Sequence, residues 1–321
     1  MSRSAAIIIL LIIALACHGQ QWSMSWISHP DMPTDSQTVF WKEIIAESKP
    51  QQMIADIACN GRMAVYVNGY NATVNVMEPS RAEQIVRYDI TRFMRRGRNI
   101  IAVWTCPPCN GSTTAKPTPA IISCSGHGID NLGNTIIFHS DSTWKCRTIK
   151  GNATNGNEWV YGVLQNPCTW SLFDGIIDVT TDRHCISLQD TAFNHFAPAL
   201  SPSPNIFTLR QPWHKVLRIS NILSYTYFDD MDGSVRYYFA RWFDGWVRVT
   251  LRGMHRGDTL NINGLHYICT GRDDEQACRR FSTSGQWMAI IQGDSTFNHK
   301  RITNVEGIEI DSCAQTKWSW Y

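Results

Sequence analysis

The sequence lacks the charge excess and the catalytic fingerprints that would place it at once in a large class of proteins. Its net charge is only +2, so no strong electrostatic field indicates nucleic acid or acidic lipid as a partner. It contains no G-x-S-x-G, H-E-x-x-H, P-loop or dinucleotide-binding pattern. These absences argue against the common serine hydrolases, zinc proteases and nucleotide-dependent enzymes.

Long apolar runs are also missing, except at the N-terminus. Arg3 precedes an unbroken apolar run over residues 5–16, which is too short for a comfortable membrane span and is typical of a secretory signal. We expect a signal peptide at 1–19, no membrane helix in the mature protein, and a secreted, periplasmic or cell-surface location. A lipid anchor at Cys17 is the alternative to a simple secretory signal, although Ala14 occupies the position at which lipoprotein signals have a large aliphatic residue.

Tryptophan and cysteine are abundant, with 13 and 11 residues respectively. Tryptophan is favoured at binding surfaces, and export permits disulfides without fixing their pairing. The one CxxC pattern, Cys106 to Cys109, encloses two prolines and precedes Asn110-Gly111. This favours a loop with a disulfide or free thiols over a helix-borne redox motif. A zinc site would need a second ligand pair, for which Cys124 and His127 are loose candidates.

The first half of the chain shows short strands separated by turns, without helix-length periodic segments. The predicted strands are 39–43, 53–59, 63–67, 99–104, 120–124, 135–139 and 143–148. Asn68-Gly69 is a strong hairpin signal after the third of them. Strands at this spacing predict a β-sandwich or jelly roll over residues 22–150.

A second strand-rich block follows residues 151–213, which are rich in turn-forming and polar residues and are expected to be an irregular connecting segment. The block begins near residue 216, and its predicted strands are 235–240, 245–251, 259–262, 266–269, 286–291 and 302–310. We therefore predict an all-β protein with two antiparallel, jelly-roll-like sandwiches in tandem, the second over 214–321.

The order of several motifs is more specific than any one of them. They are VFWKE at 39–43, ADIACNGRMAVYVNG at 55–69, YDIT at 88–91, FMRRGRNIIAVW at 93–104, STWKCR at 142–147, GWVRVTL at 245–251 and FNHKRITNVEG at 297–307. This series resembles the N-terminal β-sandwich region of bacterial α-L-rhamnosidases of glycoside hydrolase family 78. In that family the last motif leads into an (α/α)₆ barrel with the catalytic carboxylates, whereas here only 14 residues follow Gly307. The resemblance thus implies the accessory β-domains without the catalytic barrel.

The resemblance also implies candidate ligand contacts. Some of the family's N-terminal sandwiches bind sugar and hold Ca²⁺ in loops, and the matching loop here lies near Asn60, with Asp89 downstream. Asn60 is a candidate sugar contact, and Asn60 and Asp89 are candidate Ca²⁺ ligands, although asparagine at Asn60 also suits a tight turn.

Other candidates come from the residues themselves. Trp159, Trp170 and Trp213 lie in irregular, polar segments and are candidate carbohydrate platforms, with packing between domains as the alternative. Trp41 and Trp104 lie in apolar runs and are expected in the core. The acidic clusters at 229–232 and 273–275 are expected to be solvated turns, with Ca²⁺ binding as the alternative.

The function that these features favour is that of an exported, non-catalytic carbohydrate-binding accessory protein. It would hold a rhamnose-containing plant glycan near a partner glycoside hydrolase. Two alternatives stay open: a structural or interaction module that docks onto such a hydrolase, and a glycoside hydrolase with an unrecognised site. Two converging carboxylates would be needed for the last.

Overall fold

The computed structural model of the chain describes residues 25–34, 36–73, 85–106, 118–150, 153–154, 157–161, 182–188, 216–231, 233–295 and 297–313. Their regular elements are strands, apart from two single 3₁₀ turns at Thr91–Phe93 and His299–Arg301. This confirms the all-β prediction. No helix in these ranges is long and apolar enough to cross a membrane. The predicted signal peptide and Cys17 lie outside the described residues.

The strands fall into two sandwich sheets and one larger sheet. Numbered along the chain, they are β1 (Ile27–Ser28), β2 (Ser36–Ala46), β3 (Pro50–Cys59), β4 (Arg62–Val67), β5 (Tyr70–Asn71), β6 (Ile85–Asp89), β7 (Gly97–Cys106), β8 (Ile121–Asp130), β9 (Thr135–His139), β10 (Lys145–Lys150), β11 (Ala153–Thr154), β12 (Asn157–Tyr161), β13 (Arg183–His184), β14 (Ile186–Ser187), β15 (Val216–Met231), β16 (Ser234–Arg252), β17 (Thr259–Ile262), β18 (Leu265–Ile268), β19 (Asp274–Cys278), β20 (Ser284–Gly293) and β21 (Ile302–Cys313).

The first body is an antiparallel sandwich. One sheet has the order β14-β1-β8-β3-β6, with β9 also paired to β8, and the other has the order β13-β10-β2-β7-β4-β5. Alternate side chains of both sheets point between them and form a core that includes Phe40, Ile57, Val65, Val103 and Ile122. Each strand that the sequence predicts for this half overlaps one of these elements, although the predicted strands 120–124 and 143–148 begin one and two residues before β8 and β10.

The turn between β4 and β5 shows how a local signal fixes the register. Asn68 and Gly69 have φ of 51° and 82°, which suits a two-residue hairpin turn. The Asn68 amide also donates to the Phe93 carbonyl and accepts from the Ile100 backbone N–H, at 2.8 and 2.9 Å. The side chain therefore ties the hairpin to the chain around β7.

The central strands of the second sandwich sheet, β2, β7 and β4, are buried on both faces over most of their length. The outer face of this sheet carries Val39, Trp41, Tyr66 and Trp104, which form a separate cluster that includes Phe281, a residue that follows β19. Trp41 is 6% and Trp104 1% exposed, so their predicted place in the core is confirmed. Burial on both faces explains why residues 99–104 form a continuous apolar run instead of an alternating one.

The connecting segment contributes strands to both bodies. β11 and β12 join the large sheet, where β12 runs parallel to β18, while β13 and β14 each extend a sheet of the first sandwich. The sequence predicted an irregular segment here, because strands of two to five residues are too short to show a hydrophobic period.

The second body is one sheet that bends on itself around its own core. Its order is β11-β12-β18-β17-β20-β16-β15-β21, and β19 and β21 also pair with β16. β16 is a single strand of 19 residues, where the sequence predicted two strands. It pairs with β20 up to Gly245 and with β21 from Gly245 onward. The core includes Phe239, Phe243, Val249 and Ile291.

Candidate binding surface

Among the described residues of the large sheet, the exposed large hydrophobic side chains all lie on β15, β16 and β20. There are eight such side chains in this described part of the chain, and they are between 37% and 59% exposed. They are Ile219, Ile222, Tyr225, Tyr227, Phe228, Met231, Trp242 and Trp287. A concentration of exposed apolar side chains of this kind marks a surface that binds a ligand or a partner.

Three rings form a continuous row across these strands, and we call Tyr227, Tyr238 and Trp287 the aromatic row. Tyr227 lies opposite Tyr238 in the β15–β16 ladder. Their rings stack with centroids 4.3 Å apart and planes 10° apart. The Trp287 ring lies 5.7 Å from that of Tyr238, tilted by 52°. Tyr227 is 55% and Trp287 48% exposed, so both ends of the row reach solvent.

Two charged side chains lie beside the row. Arg236 and Asp229 are opposite each other in the ladder, two residues from Tyr238 and Tyr227 respectively. Because residues two apart in a strand share a face, both lie on the face of the aromatic row. The Arg236 Nε is buried and has no hydrogen-bond partner. The row is therefore flanked by an acidic and a basic group.

The opposite face of the same hairpin is aromatic as well. The Tyr237 ring is 4.9 Å from that of Tyr225 and 5.5 Å from that of Phe228. Burial, and to a smaller extent the charges of Tyr225 and Asp230, together raise the pKa of Tyr237 to about 12. Adjacent residues in a strand point to opposite faces, so this second aromatic cluster lies on the other side from the aromatic row.

One ion pair and one side-chain hydrogen bond hold β16 and β15 to β21 near this surface. Arg241 donates two hydrogen bonds to the Glu309 carboxylate, both at 2.5 Å. Asn221 donates a third, at 2.6 Å. These bonds from Arg241 and Asn221 lower the pKa of Glu309. The three strands are therefore cross-linked by side chains as well as by their ladders.

The three candidate tryptophans are placed only in part. Trp170 and Trp213 lie outside the residues that the structure describes. Trp159 belongs to β12, and its backbone pairs with that of His266 in β18. It therefore lies in a regular strand of the large sheet and not in an irregular segment, and its candidate role stays a prediction.

Asn60 lies directly after β3, with its side-chain amide bonded to the backbone of another segment. The amide donates to the Pro119 carbonyl at 2.7 Å, and its oxygen accepts from the Ile121 N–H at 3.0 Å. Both ends of the amide are thus used to hold the start of β8. This is the turn role that the sequence left open beside the sugar and Ca²⁺ roles.

Asp89 lies at the other end of the same strand pair. Its carboxylate accepts hydrogen bonds from the backbone N–H and the hydroxyl of Thr91. Asp89 pairs with Ile54, whereas Asn60 is six residues further along from Ile54, or about 20 Å at roughly 3.3 Å per residue. One Ca²⁺ ion therefore does not contact both residues. In the described parts of the chain, no three His, Cys, Asp or Glu residues cluster as metal ligands.

The two acidic clusters were predicted as solvated turns. This is right for Asp273, which is exposed just before β19, and wrong for the residues that lie in strands. Asp229 and Asp230 lie in β15, and Asp230 contacts the His299 imidazole at 3.1 Å. Asp274 and Glu275 begin β19, where alternation sends Asp274 outward and Glu275 inward. Pairing with β16 formed a strand that the local acidic sequence disfavoured.

Glu275 is a buried carboxylate that organises the turn before β19. It is 5% exposed. It accepts hydrogen bonds from the backbone N–H groups of Thr270, Gly271 and Arg272, and from the Tyr267 hydroxyl. Burial, followed by the charge of Glu275, raises the pKa of Tyr267. Because its oxygens already accept these bonds, Glu275 has the environment of a structural carboxylate.

The aromatic row was missed in the sequence, although a signal for it is present. Tyrosines at Tyr225, Tyr227, Tyr237 and Tyr238 flank the Asp-Gly pair at 232–233. Two β-rich runs joined by Asp-Gly are the pattern of a hairpin. The pattern does not give the exposure of the rings, which depends on what covers β15.

Comparison with known proteins adds evidence at the level of the fold. No family model and no curated protein matches the sequence. Among solved structures, the α-L-rhamnosidase of Dictyoglumus thermophilum is similar over 92% of this chain, with a TM-score of 0.68 and 17% identity. That of Aspergillus terreus matches 91% of this chain, also with a TM-score of 0.68 and 17% identity. That of Streptomyces avermitilis matches 86%, with a TM-score of 0.61 and 14% identity.

The matches cover only part of those enzymes. The chain spans 36% of the first two and 29% of the third. Identities this low show a shared fold, and the rest of each enzyme has no counterpart in the match. The resemblance to the β-domains of α-L-rhamnosidases, first indicated by the ordered motifs, is thus confirmed for the fold of this chain.

Proposed function

We propose that this protein is an exported, non-catalytic carbohydrate-binding accessory protein, and that the aromatic row is its sugar platform. The observation that carries the proposal is the stacked, solvent-exposed arrangement of Tyr227, Tyr238 and Trp287. Aromatic rings present a flat apolar face with little conformational entropy to lose, and the C–H faces of pyranose rings are complementary to such a surface.

The flanking charges support the same role. Sugar hydroxyls need donors and acceptors beside the stacking surface, and binding sites commonly combine an apolar wall with a few polar groups. Arg236 supplies donors and Asp229 supplies acceptor oxygens on the same face as the rings. The Arg236 Nε has no hydrogen-bond partner, so the hydrogen bonds within the protein do not use every donor of this guanidinium.

Rhamnosides are the first ligands to test. The ordered sequence motifs and the fold resemble α-L-rhamnosidases, and the Streptomyces avermitilis enzyme was solved with L-rhamnose. We infer that the glycan is a rhamnose-containing polymer and that the protein acts near a glycoside hydrolase. Only the part of those enzymes that this chain matches, between 29% and 36% of their length, bears on this role.

Removing a ring from the row tests the proposal. In calorimetric titration with rhamnogalacturonan oligosaccharides and L-rhamnose, we expect Trp287→Ala and Tyr238→Ala each to weaken binding by about tenfold or more, since an aromatic anchor contributes roughly 1.4 to 2 kcal/mol. Tyr70→Ala is the matched control. Tyr70 is an exposed tyrosine, 48% accessible, that stacks on Phe93 in the first sandwich.

The control separates loss of the platform from a general effect on an exposed ring. We expect Tyr70→Ala to bind like the wild type. The proposal is overturned if wild-type protein binds none of a panel of rhamnosides, pectins and common polysaccharides, or if both row variants bind as tightly as the Tyr70 variant.

A second candidate is docking onto a partner hydrolase, and the second aromatic cluster favours it. Tyr225 and Phe228 lie on the face opposite the aromatic row, where they are 37% and 51% exposed. Apolar surface of this composition resembles the centre of a protein interface. If docking is the function, Phe228→Ser abolishes association with an α-L-rhamnosidase in analytical ultracentrifugation, whereas Trp287→Ala leaves it intact.

A further inference from the structure

Two cysteines of the first sandwich lie side by side where the connecting segment returns to it. Cys146 is in β10, opposite Arg183 of β13. Cys185 follows β13 directly, and its backbone N–H donates to the Trp144 carbonyl at 2.9 Å. The ladder thus continues past β13 and brings Cys185 beside the strand that carries Cys146.

Both thiols point into the same core and reach each other. Cys146 is 0% and Cys185 3% exposed, and both belong to the core of the first sandwich. Cys185 lies opposite Trp144 in the continued ladder, two residues from Cys146, so the two side chains share a face of the strand pair and contact each other. The Cys146 thiol also donates to the Arg183 carbonyl at 3.4 Å. Two thiols in contact on neighbouring backbone segments have the approach that a disulfide requires.

We propose that Cys146 and Cys185 form a disulfide in the mature protein. The reaction joins the two sulfurs and removes one proton and one electron from each thiol. The disulfide of an exchange catalyst or of oxidised glutathione accepts the two protons and two electrons, becoming the catalyst's dithiol or two molecules of reduced glutathione. The proposal is independent of sugar binding and rests on the export that the N-terminal sequence predicts, because exported proteins meet an oxidising compartment.

The bond would fasten the connecting segment to the first sandwich. The chain between the two cysteines includes β11 and β12, which pair in the large sheet. The disulfide would close this excursion as a loop of about 40 residues, a size for which cross-links give substantial stabilisation. It would therefore limit how far the strands of the second body move from the first.

Peptide mapping of the full chain tests the bond directly. Protein folded in a buffer of reduced and oxidised glutathione is denatured without reductant, alkylated, digested and analysed by mass spectrometry. We expect one cross-linked peptide pair containing Cys146 and Cys185, about 2 Da lighter than the sum of its two reduced peptides because two hydrogens are lost. Alkylation of both residues in the wild type would overturn the proposal.

Variants confirm the pairing and its effect on stability. We expect Cys146→Ser to leave Cys185 open to alkylation, and Cys124→Ser, which removes another buried thiol of the same core, to leave the cross-link in place. Reductant should lower the thermal midpoint of the wild type and of Cys124→Ser by about 5 to 10 °C, and that of Cys146→Ser much less. An equal shift in Cys146→Ser counts against the bond, and the wild-type peptide map decides even if a variant does not fold.

Discussion

At the scale of single residues, His29 has the environment that makes stability depend on pH. It is 4% exposed, and its Nδ1 accepts a hydrogen bond from the Asp31 backbone N–H at 3.1 Å. Its Nε2 is buried without a partner. Burial lowers the pKa of His29, the charge of Arg183 lowers it further, and Asp31 opposes both. The folded protein therefore favours the neutral imidazole.

This predicts a loss of stability in acid. The unfolded chain protonates its histidine near the ordinary pKa of about 6.5, before the folded chain does. The contribution of His29 to the free energy of unfolding is therefore complete above about pH 6.5. Below that pH the contribution decreases, by at most about 1.4 kcal/mol per pH unit. We expect the thermal midpoint of His29→Gln to fall less than that of the wild type between pH 7.5 and 5.5.

A second histidine variant is the control for this pH dependence. His127 lies on an exposed position of β8, so His127→Gln should keep the pH dependence of the wild type. If His29→Gln and His127→Gln follow the wild-type curve equally, the buried histidine is not the source.

At the scale of elements, β16 depends on Gly245 to pass from one half of the large sheet to the other. Gly245 has φ of 153°, and a Cβ there would lie 1.9 Å from the Ile308 carbonyl oxygen. Backbone of β21 occupies that space and has no rotamer by which to move aside. We expect Gly245→Ala to lower the free energy of unfolding by about 2 kcal/mol or more, measured by denaturant titration.

Gly253 separates the effect of this close contact from that of backbone conformation. It has φ of 67°, and a Cβ there would have nothing within 4 Å. Gly253→Ala should therefore lower the free energy of unfolding by only about 1 kcal/mol, because alanine disfavours the left-handed backbone conformation. Equal losses in the two variants would mean that β21 shifts easily away from β16.

The same scale shows what the sequence could and could not predict. β9 and β17 have the predicted bounds, and the Asn68-Gly69 turn was predicted from local chemistry. β19 was missed, because its acidic start is disfavoured in strands and only pairing with β16 stabilises it. The aromatic row was missed for a similar reason. The pattern predicts a hairpin, but the exposure of its rings depends on segments that are distant in the sequence.

At the scale of the whole molecule, the two bodies meet through Arg280 and Phe281 of the second and Tyr66 and Trp104 of the first. The Arg280 guanidinium donates to the Tyr66 hydroxyl at 2.6 Å and lies 5.1 Å from the centre of the Trp104 ring. The Phe281 ring contacts Trp104 edge-on, with centroids 6.0 Å apart. Arg280 and Phe281 of the second body thus help to cover the Trp104 ring.

This contact predicts cooperative unfolding. Phe281 is 1% exposed, and replacing it with alanine removes roughly 3 kcal/mol or more of packing while leaving each body's own core intact. We expect the wild type to unfold in one calorimetric transition and Phe281→Ala to unfold in two, with the first sandwich more open to protease near Trp104. Phe281→Leu keeps most of the buried volume and should restore a single transition. If Phe281→Ala also unfolds in one transition at the wild-type temperature, the cluster around Trp104 does not couple the bodies, and their coupling must come from the strands that the connecting segment lends to each sheet.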